Sequence, residues 1–227
     1  MSASLIPLLA LLGLLVTLAR TAIGLVQGIE QVVPAPLSVH ALVDQFGVPN
    51  LVTPIVLDLR LYDTLGEVIV FTLASMGVHH LLSSEDAEHD LKPAEDEAAV
   101  VLFRLGAILN TLIAVELAVR GHLSPGGGFA AGVAGGTALA LVLLFGGSAE
   151  ATGAYRRIHA KTLEESAVLM FILLSLVLLE GFNLPVGEYG AVLSGGLLPI
   201  LNVLVGLKVT LGSWGMIQQF LTTNQLH

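Results

Sequence analysis

Long apolar stretches, separated by short polar segments, extend through the whole chain. The first stretch, Ser2 to Ala19, contains no charged residue, and its apolar character continues past Arg20 to Val26. A membrane-spanning helix needs about 20 predominantly apolar residues. Five further stretches meet this requirement: 62–82, 98–120, 126–145, 163–182 and 193–216. The pattern therefore predicts an all-α integral membrane protein with about six transmembrane helices.

For two segments near the start of the chain, apolar length alone does not decide whether they form membrane-spanning helices. A secretory signal carries a basic region before its apolar stretch, whereas no basic residue precedes Arg20, so we predict a retained helix. Residues 30–61 include prolines that are incompatible with a regular spanning helix. These are Pro34, Pro36, Pro49 and Pro54. Residues 50–60 are nevertheless apolar, and the sequence leaves open whether they lie at the membrane interface or re-enter the membrane.

Lysine and arginine residues in the short loops predict the orientation, because cytoplasmic loops carry an excess of them. With six helices, the side that holds both termini also holds Lys92, Arg156, Arg157 and Lys161. The opposite side holds Arg60, Arg120 and, if it reaches the surface, Arg20. The bias predicts a multi-pass protein of the cell (plasma) membrane with both termini in the cytoplasm.

Composition supports this class and excludes others. The 227 residues are 55% hydrophobic and 12% charged, whereas a soluble domain carries about 25% charged residues. Because there is no cysteine, disulfides, thiolate-bound iron–sulfur clusters and c-type haem attachment are excluded. The net charge of −9 argues against a nucleic-acid partner. No pattern indicates a cofactor, a metal site or enzymatic catalysis.

An acidic segment, Ser83 to Glu97, divides the chain and holds seven of its 18 acidic residues. Charge blocks of this kind are usually solvated linkers. The division predicts a two-helix segment over residues 1–92 and a four-helix domain over residues 93–227. The two parts do not resemble each other, which suggests a fusion rather than an internal repeat.

Asp63 and Glu67 lie four residues apart in the predicted second helix and therefore on one face of it. Two carboxylates at this spacing repel each other, and burial near lipid disfavours their charged form, so the pair is suited to exchanging a proton or holding a cation. Arg60 can neutralise one of the two charges. The alternative is a helix start among the lipid headgroups, where the N-terminal dipole favours acids. The spacing alone does not decide.

Lys208 lies deep within the predicted sixth helix. A lysine at such a depth costs about 2.5–3.5 kcal/mol on insertion scales. It must therefore extend its amine to the nearer surface, pair with an acid or line a hydrated path. Glu116 and Arg120, in the third helix, have the i, i+4 spacing of a structural ion pair.

Residues 120–136, RGHLSPGGGFAAGVAGG, form the turn between the predicted third and fourth helices. Pro125 stops the helix before it, and the run of three glycines permits an unusual backbone turn. Gly128, Gly132 and Gly136 recur every four residues and predict a flat face for close helix contact. Bare amides at a helix N-terminus can also meet an anion, although packing is the commoner use of such a face.

Two stretches carry a resemblance to a known family. The turn GHLSPGGGF (Gly121 to Phe129) and the later LPILNVLVGLKV (Leu198 to Val209) resemble the MrpB component of the Mrp-type multisubunit Na⁺/H⁺ antiporters. They equally resemble the corresponding component of membrane-bound hydrogenases. Upstream, PNLVTPIVLDLRLYDTLGEVIVFTLASMGV (Pro49 to Val78) resembles the C-terminal part of MrpA, the large antiporter component, which in hydrogenases is a separate small protein.

The resemblance implies a membrane subunit of a monovalent cation (Na⁺)/proton antiporter that contributes to the ion path and to assembly. It implies as partners the other membrane subunits of the complex, Na⁺ and H⁺, and the lipid bilayer. Asp63 and Glu67 resemble the family's paired acids, and Lys208 the lysine of its GLKV segment. The family's PGGGF turn is matched by Pro125, Gly126, Gly127, Gly128 and Phe129. The long core of the antiporter-like subunits is absent from the sequence, so we do not expect a complete pump.

Two other functions remain open. The chain is alternatively a membrane-arm subunit of a redox-driven ion pump, either a membrane-bound hydrogenase or a relative of complex I. The redox centres would then lie on other subunits, so the lack of cysteine does not separate the two. A third possibility is a structural adaptor whose acids and lysine only satisfy partner helices.

Overall fold

A computed structural model describes residues 12–13, 15–16, 19–20, 39–82, 96–145 and 148–223. Its helices of eight or more residues are α1 (Val39–Phe46), α2 (Leu61–Leu82), α3 (Glu97–Arg120), α4 (Gly128–Phe145), α5 (Ser148–Arg157), α6 (Ala160–Leu179) and α7 (Leu198–Thr223). A short helical turn, Val52–Pro54, and a π-helical turn, Ile55–Leu59, connect α1 to α2. These ranges contain no β-strand.

Five helices in the described ranges are long and apolar enough to cross a membrane, namely α2, α3, α4, α6 and α7. They correspond to the second to sixth helices expected from the apolar pattern, and the all-α membrane fold is confirmed. The first expected helix, over residues 2–26, lies largely outside the described residues. Six residues of that range are described, all in helical conformation.

The bounds of two helices differ from the sequence-based expectation because of local backbone conformation. The fifth expected helix begins earlier than predicted, at Ala160, immediately after His159, whose left-handed backbone (φ 52°) separates α5 from α6. The last helix begins later, at Leu198, because the preceding residues form turns in which Gly195 and Gly196 have positive φ. The amphipathic helix α5 was not predicted from the apolar pattern.

Consecutive spanning helices run in opposite directions, so that α2, α4 and α7 are parallel to one another, and their connections gather at two ends of the bundle. One end, here called the turn end, holds residues 121–127 and the loop before α7. At this end the amide of Asn50 donates to the carbonyl of His122 (3.2 Å), and that of Gly190 to the carbonyl of Gly47 (3.4 Å). The other end, called the α5 end, holds α5 and the C-terminal end of α7.

Helix α7 lies at the centre of the bundle and contacts α2, α3, α4 and α6. Leu198, Leu201, Val205 and Val209 are buried along it and join one hydrophobic cluster with residues of α1, α2 and α6. By contrast, α3 directs many large apolar side chains outward, Leu105 and Leu112 among them. A helix with this outward face is suited to lipid or to a neighbouring membrane protein.

The glycine face of α4 packs directly against α7. Gly128, Gly132 and Gly136 are all buried. A Cβ built on Gly128 would lie 2.5 Å from the carbonyl oxygen of Asn202, and one on Gly136 would lie 2.7 Å from Cβ of Ser213. Close approach of these two helices therefore depends on the absence of side chains at the glycine positions.

Candidate functional site: a cavity beside Glu67 and a buried ion pair

A cavity of about 390 Å³ opens between α2, α4 and α7 at the turn end. Glu67 of α2 lines it, together with Thr64 one turn earlier and Asn202 of α7. Thr53 and the backbone of the α3–α4 turn complete the polar lining. The turn residues that line the cavity are Gly126, Gly127, Gly128 and Phe129. The fold therefore brings one of the two predicted acids together with the glycine turn, although they are far apart in sequence.

Polar side chains from two other elements hold this turn in place. The side-chain amide of Asn50 donates to the carbonyls of Gly121 (2.6 Å) and Ser124 (2.9 Å). The hydroxyl of Thr53 also donates to the carbonyl of Gly121 (2.7 Å). From α7, the amide of Asn202 donates to the carbonyl of Ala118 (2.7 Å). These bonds satisfy carbonyls that the C-terminal end of α3 leaves without helical partners.

Asp63 has a different environment from Glu67. Its carboxylate is half exposed and forms an ion pair with Arg60, whose Nε donates to Oδ2 (2.7 Å). Glu67 is exposed to the cavity and lies one helical turn further along α2. Pro125 is exposed in the turn and does not line the cavity. The two acids therefore share a helix but occupy separate surroundings, one neutralised by Arg60 and one facing the cavity.

Lys208 is paired within the bundle. Its ammonium group is 1% exposed and forms an ion pair with the carboxylate of Glu164 on α6. The Nζ atom also lies 5.1 Å from the centre of the Phe71 ring on α2, at a distance typical of a cation–π interaction. Of the three situations that the sequence allowed for this lysine, the structure selects pairing.

Sequence reasoning missed Glu164 because it placed the start of α6 three residues too late. With a helix expected to begin at Leu163, Glu164 falls in the first turn, where acidic residues are common and solvated. Because α6 begins at Ala160, the carboxylate lies a full turn inside the helix and is buried. A lysine on α7 with no acid nearby in sequence was the one signal that a buried partner existed elsewhere.

Two titratable groups at the turn end lie outside the spanning helices and have shifted pKa values. Burial lowers the pKa of His122, although the backbone of Ala191 and Val192 opposes this effect. Burial raises the pKa of Asp58 in the π-helical turn. Both shifts favour the neutral form, because a charged group loses hydration when it is buried. Among the described residues, no group of three or more His, Asp and Glu side chains is placed to bind a metal ion.

Two further ion pairs lie at the surface of the bundle. The guanidinium of Arg120 donates to the Glu116 carboxylate (2.9 Å) on the outer face of α3, as its spacing predicted. Arg20, in the N-terminal range, is paired with Glu180 at the end of α6. Such half-exposed pairs contribute little to stability, and none of them adjoins the cavity.

The fold and its polar groups define a multi-pass helical membrane protein with a cavity lined in part by Glu67 and a buried ion pair between its helices. Residues 98–215 match the family described as a domain related to the MnhB subunit of Na⁺/H⁺ antiporter. The chain belongs to this family. The match confirms the family to which the sequence motifs pointed.

Two relatives extend this result. The chain is 32% identical over 127 residues to a protein of Rhizobium meliloti (strain 1021) named as a probable A/B subunit of a K⁺/H⁺ antiporter, a match that covers 45% of this chain. It covers 13% of the length of that relative. The chain is also 26% identical over 199 residues to an uncharacterized protein of Methanocaldococcus jannaschii, covering 73% of this chain and 74% of that protein.

Two solved structures have the same fold. A chain of the membrane-bound sulfane sulfur reductase, an archaeal respiratory membrane complex, superimposes with a TM-score of 0.66 at 27% identity, covering 92% of this chain and 97% of that chain. A chain of the Mrp complex from Dietzia sp. DQ12-45-1b superimposes with a TM-score of 0.61 at 23% identity. That match covers 99% of this chain and 27% of the other, and it shows the shared fold.

Proposed function

We propose that this protein is a membrane subunit of a multisubunit monovalent cation (Na⁺)/proton antiporter, where it contributes to the ion path and to assembly. The family supports the class, and the Rhizobium relative carries the name of an antiporter subunit. The observation that carries the proposal is the cavity, which both Glu67 and the glycine turn line. An intramembrane carboxylate beside a cavity between helices is suited to exchange a proton for a cation.

Three side chains have distinct parts in the proposed path. Glu67 exchanges a proton and a cation in the cavity. Asp63, one turn nearer the turn end and paired with Arg60, provides a second carboxylate at the entrance. Lys208 places a positive charge between the helices and lies one turn along α7 from Val205, which lines the cavity. The glycine turn, from Pro125 to Phe129, supplies carbonyls and space.

Replacing Glu67 with glutamine tests the path directly. We expect the Na⁺- or K⁺-dependent pH change in vesicles that contain the complete complex to fall by about a hundredfold, the lower range for loss of a positioned proton-exchanging group. Asp63→Asn should reduce exchange less and shift its pH dependence. The matched control is Glu116→Gln, because Glu116 is an acid on the outer face of α3.

Assembly must be measured on the same preparations, because a structural acid would also reduce activity. Normal assembly with lost exchange in Glu67→Gln supports the path. Full exchange in that variant, or loss of exchange only where the complex fails to assemble, contradicts it. In the second case the adaptor function would account for the protein.

A redox-driven complex is the second candidate function, and a specific observation favours it. The protein matches 97% of the length of a chain of the sulfane sulfur reductase complex. It matches 27% of the length of the chain of the Mrp complex. The same helices would then couple electron transfer on other subunits to ion movement. Identification of the proteins that co-purify in mild detergent separates the two: antiporter subunits alone support the first function, and subunits with redox centres support the second.

The domain organisation proposed from the sequence places an MrpA-like segment over residues 1–92 before an MrpB-like domain over 93–227. The Rhizobium relative is named as an A/B subunit, which supports such a fusion. The family match begins at residue 98, after the acidic segment. Helix α2 nevertheless packs on α6 and α7, so the two parts share one hydrophobic core.

For orientation, we propose that the α5 end faces the cytoplasm and that the protein is a multi-pass protein of the plasma membrane. Arg156, Arg157 and Lys161 lie at the α5 end, and Arg60 and Arg120 at the turn end. Lys92 lies outside the described residues, as do both chain termini.

Accessibility labelling tests this orientation. We expect tags at Asn224 and near Asp44 to label from opposite sides of the membrane, with the Asn224 tag reached from the cytoplasm. This follows because α1 lies at the turn end and α7 finishes at the α5 end. A soluble cytoplasmic protein that carries the same tag serves as the control for leakage. Labelling of both tags from one side would contradict the arrangement of the helices, and exchanged sides would contradict the orientation alone.

A further inference from the structure

We infer that Glu164 is a proton-transfer group, which receives protons from the α5 end through His79 and Tyr155 and passes them through Lys208 to the cavity that contains Glu67. The inference rests on the proposed function and deepens it, because it assigns an access route to the same path. It concerns residues from four helices: α2, α5, α6 and α7.

The first observation is the position of the ion pair. Lys208 is 1% exposed and Glu164 is 8% exposed, and the two are 44 residues apart in sequence. A buried ion pair stabilises a fold little or not at all relative to apolar side chains of similar size, because both charges lose their hydration. Ionisable groups in this position are therefore candidates for function by default.

The second observation is the way in which α7 makes room for polar atoms. A Cβ built on Gly212 would lie 2.9 Å from Oε1 of Glu164 and 3.2 Å from Nζ of Lys208. A Cβ built on Gly215 would lie 3.2 Å from both Nε2 of His79 and the hydroxyl of Tyr155. The two glycines are one helical turn apart, so these polar groups follow one another along a single face of α7 at about 5 Å per turn.

At the α5 end, this row of polar groups along α7 reaches the surface. His79 is half-buried in the last turn of α2, and its side chain hydrogen-bonds that of Gln219 on α7. Tyr155 lies on α5, where burial and the carboxylates of Glu164 and Glu165 raise the pKa of its hydroxyl. The hydroxyl therefore keeps its proton, so it can pass on that proton as it takes up another.

The charged and titratable groups that face the pair come from each of the packed helices. Helix α2 contributes His79 and α5 contributes Tyr155. Helix α6 contributes Lys161 and Glu165 beside Glu164, and both His79 and Tyr155 experience the charge of Glu164. The Lys208–Glu164 pair is therefore surrounded at the α5 end by groups that bind or donate protons. The Phe71 ring lies beside Nζ of Lys208.

Phe71 lies on α2 beside the ion pair. Its ring lies beside Nζ of Lys208, and Glu67 is four residues earlier on the same face of α2. On α7, Val205 lines the cavity three residues before Lys208. The Cα of Lys208 is therefore about one helical turn from the cavity, whereas its Nζ extends in the opposite direction, to the level of Gly212. The side chain must turn toward Val205 to reach a water molecule in the cavity.

The proton transfer balances without any redox step. Protonated His79 gives the proton on Nε2 to the hydroxyl oxygen of Tyr155 while that hydroxyl gives its own proton to the Glu164 carboxylate, directly or through water. Lys208, with its side chain turned toward Val205, gives an Nζ proton to water in the cavity, and that proton passes from the water to the Glu67 carboxylate. The proton on Glu164 then moves to the neutral amine of Lys208, which restores the carboxylate–ammonium pair. In each cycle one proton enters at His79 and one arrives at Glu67.

A double substitution separates proton transfer from structural support. Glu164→Gln combined with Lys208→Met removes both charges while keeping side-chain size, so no buried charge is left without a partner and the complex should assemble. We expect cation-dependent proton exchange by the complete complex to fall by about a hundredfold. The matched control is Glu116→Gln combined with Arg120→Met on the outer face of α3, which should leave exchange unchanged.

Substitutions at the entrance give a second, independent test. His79→Gln and Tyr155→Phe leave the ion pair intact, and we expect each to slow exchange about tenfold and to shift its pH profile while thermal stability is maintained. Wild-type exchange in the assembled Glu164/Lys208 double variant would overturn the inference. If that variant does not assemble, wild-type rates and pH profiles in both entrance variants would overturn it instead.

The outcomes also distinguish this inference from the proposed function. If Glu67→Gln abolishes exchange and the Glu164/Lys208 double variant retains it, the function stands and the route through Glu164 is wrong. If the wild-type complex shows no cation-dependent proton exchange at all, the proposed function is wrong, and the inference fails with it.

Discussion

A leucine in place of Gly132 is expected to separate α4 from α7 and to prevent assembly of the complex. A Cβ at this position would contact the side chain of Val209 and would lie 3.1 Å from the carbonyl oxygen of Gly206. The carbonyl cannot move without displacing the backbone of α7. Overpacking of this kind costs about 1–3 kcal/mol, and the further leucine atoms should place this variant at the upper end of that range.

The measurement is the yield of the complex and the thermal unfolding temperature in mild detergent. Gly132→Ala should show a smaller loss than leucine, because it adds one carbon atom. Gly77→Leu is the matched control, since Gly77 lies in α2 and nothing lies within 4 Å of a Cβ built there. If Gly132→Leu assembles as well as the control does, the glycine face does not pack against α7.

Replacing Lys208 alone with methionine is expected to destabilise the protein by about 3–5 kcal/mol, because it leaves the Glu164 carboxylate buried without its partner. The loss should be largest at neutral and higher pH, where the unpaired carboxylate must either remain charged or take up a proton. Adding Glu164→Gln to this variant should restore most of the stability, because no buried charge then remains.

Arg60→Met is the control for that experiment. Arg60 forms an ion pair with Asp63 in which both side chains are half exposed or more, and such pairs are worth under about 1 kcal/mol. Unfolding temperatures in detergent provide the comparison. Equal stability of Lys208→Met and Arg60→Met would mean that Glu164 is hydrated and that the pair is not buried.

The spanning helices illustrate which features can be predicted from local sequence. Helices α2, α3, α4, α6 and α7 each arise from an apolar stretch long enough to cross the membrane, and that requirement is local. The Glu116–Arg120 pair was also predictable, because i, i+4 spacing on one helix specifies neighbours. The bounds of α6 and α7 were less accurate, because residues such as His159 adopt conformations that hydrophobicity does not encode.

The candidate site shows where such prediction ends. The sequence singled out Glu67, Lys208 and the glycine turn, and it grouped Asp63 with Glu67 because they share a helix face. The structure instead places Glu67 beside the glycine turn, Asp63 beside Arg60, and Lys208 beside Glu164. Periodicity describes which residues share a face of one helix, but it carries no information about which helix that face meets.

The class of the protein, its spanning helices, its glycine face and its family follow from local composition and contiguous motifs. The pairing of Lys208 with Glu164 and the position of His79 and Tyr155 at one face of α7 arise only in the folded bundle. Those contacts depend on the rotation and crossing of packed helices. These are set by the summed packing of many side chains, Gly132 and Val209 among them, and by no single segment of the chain.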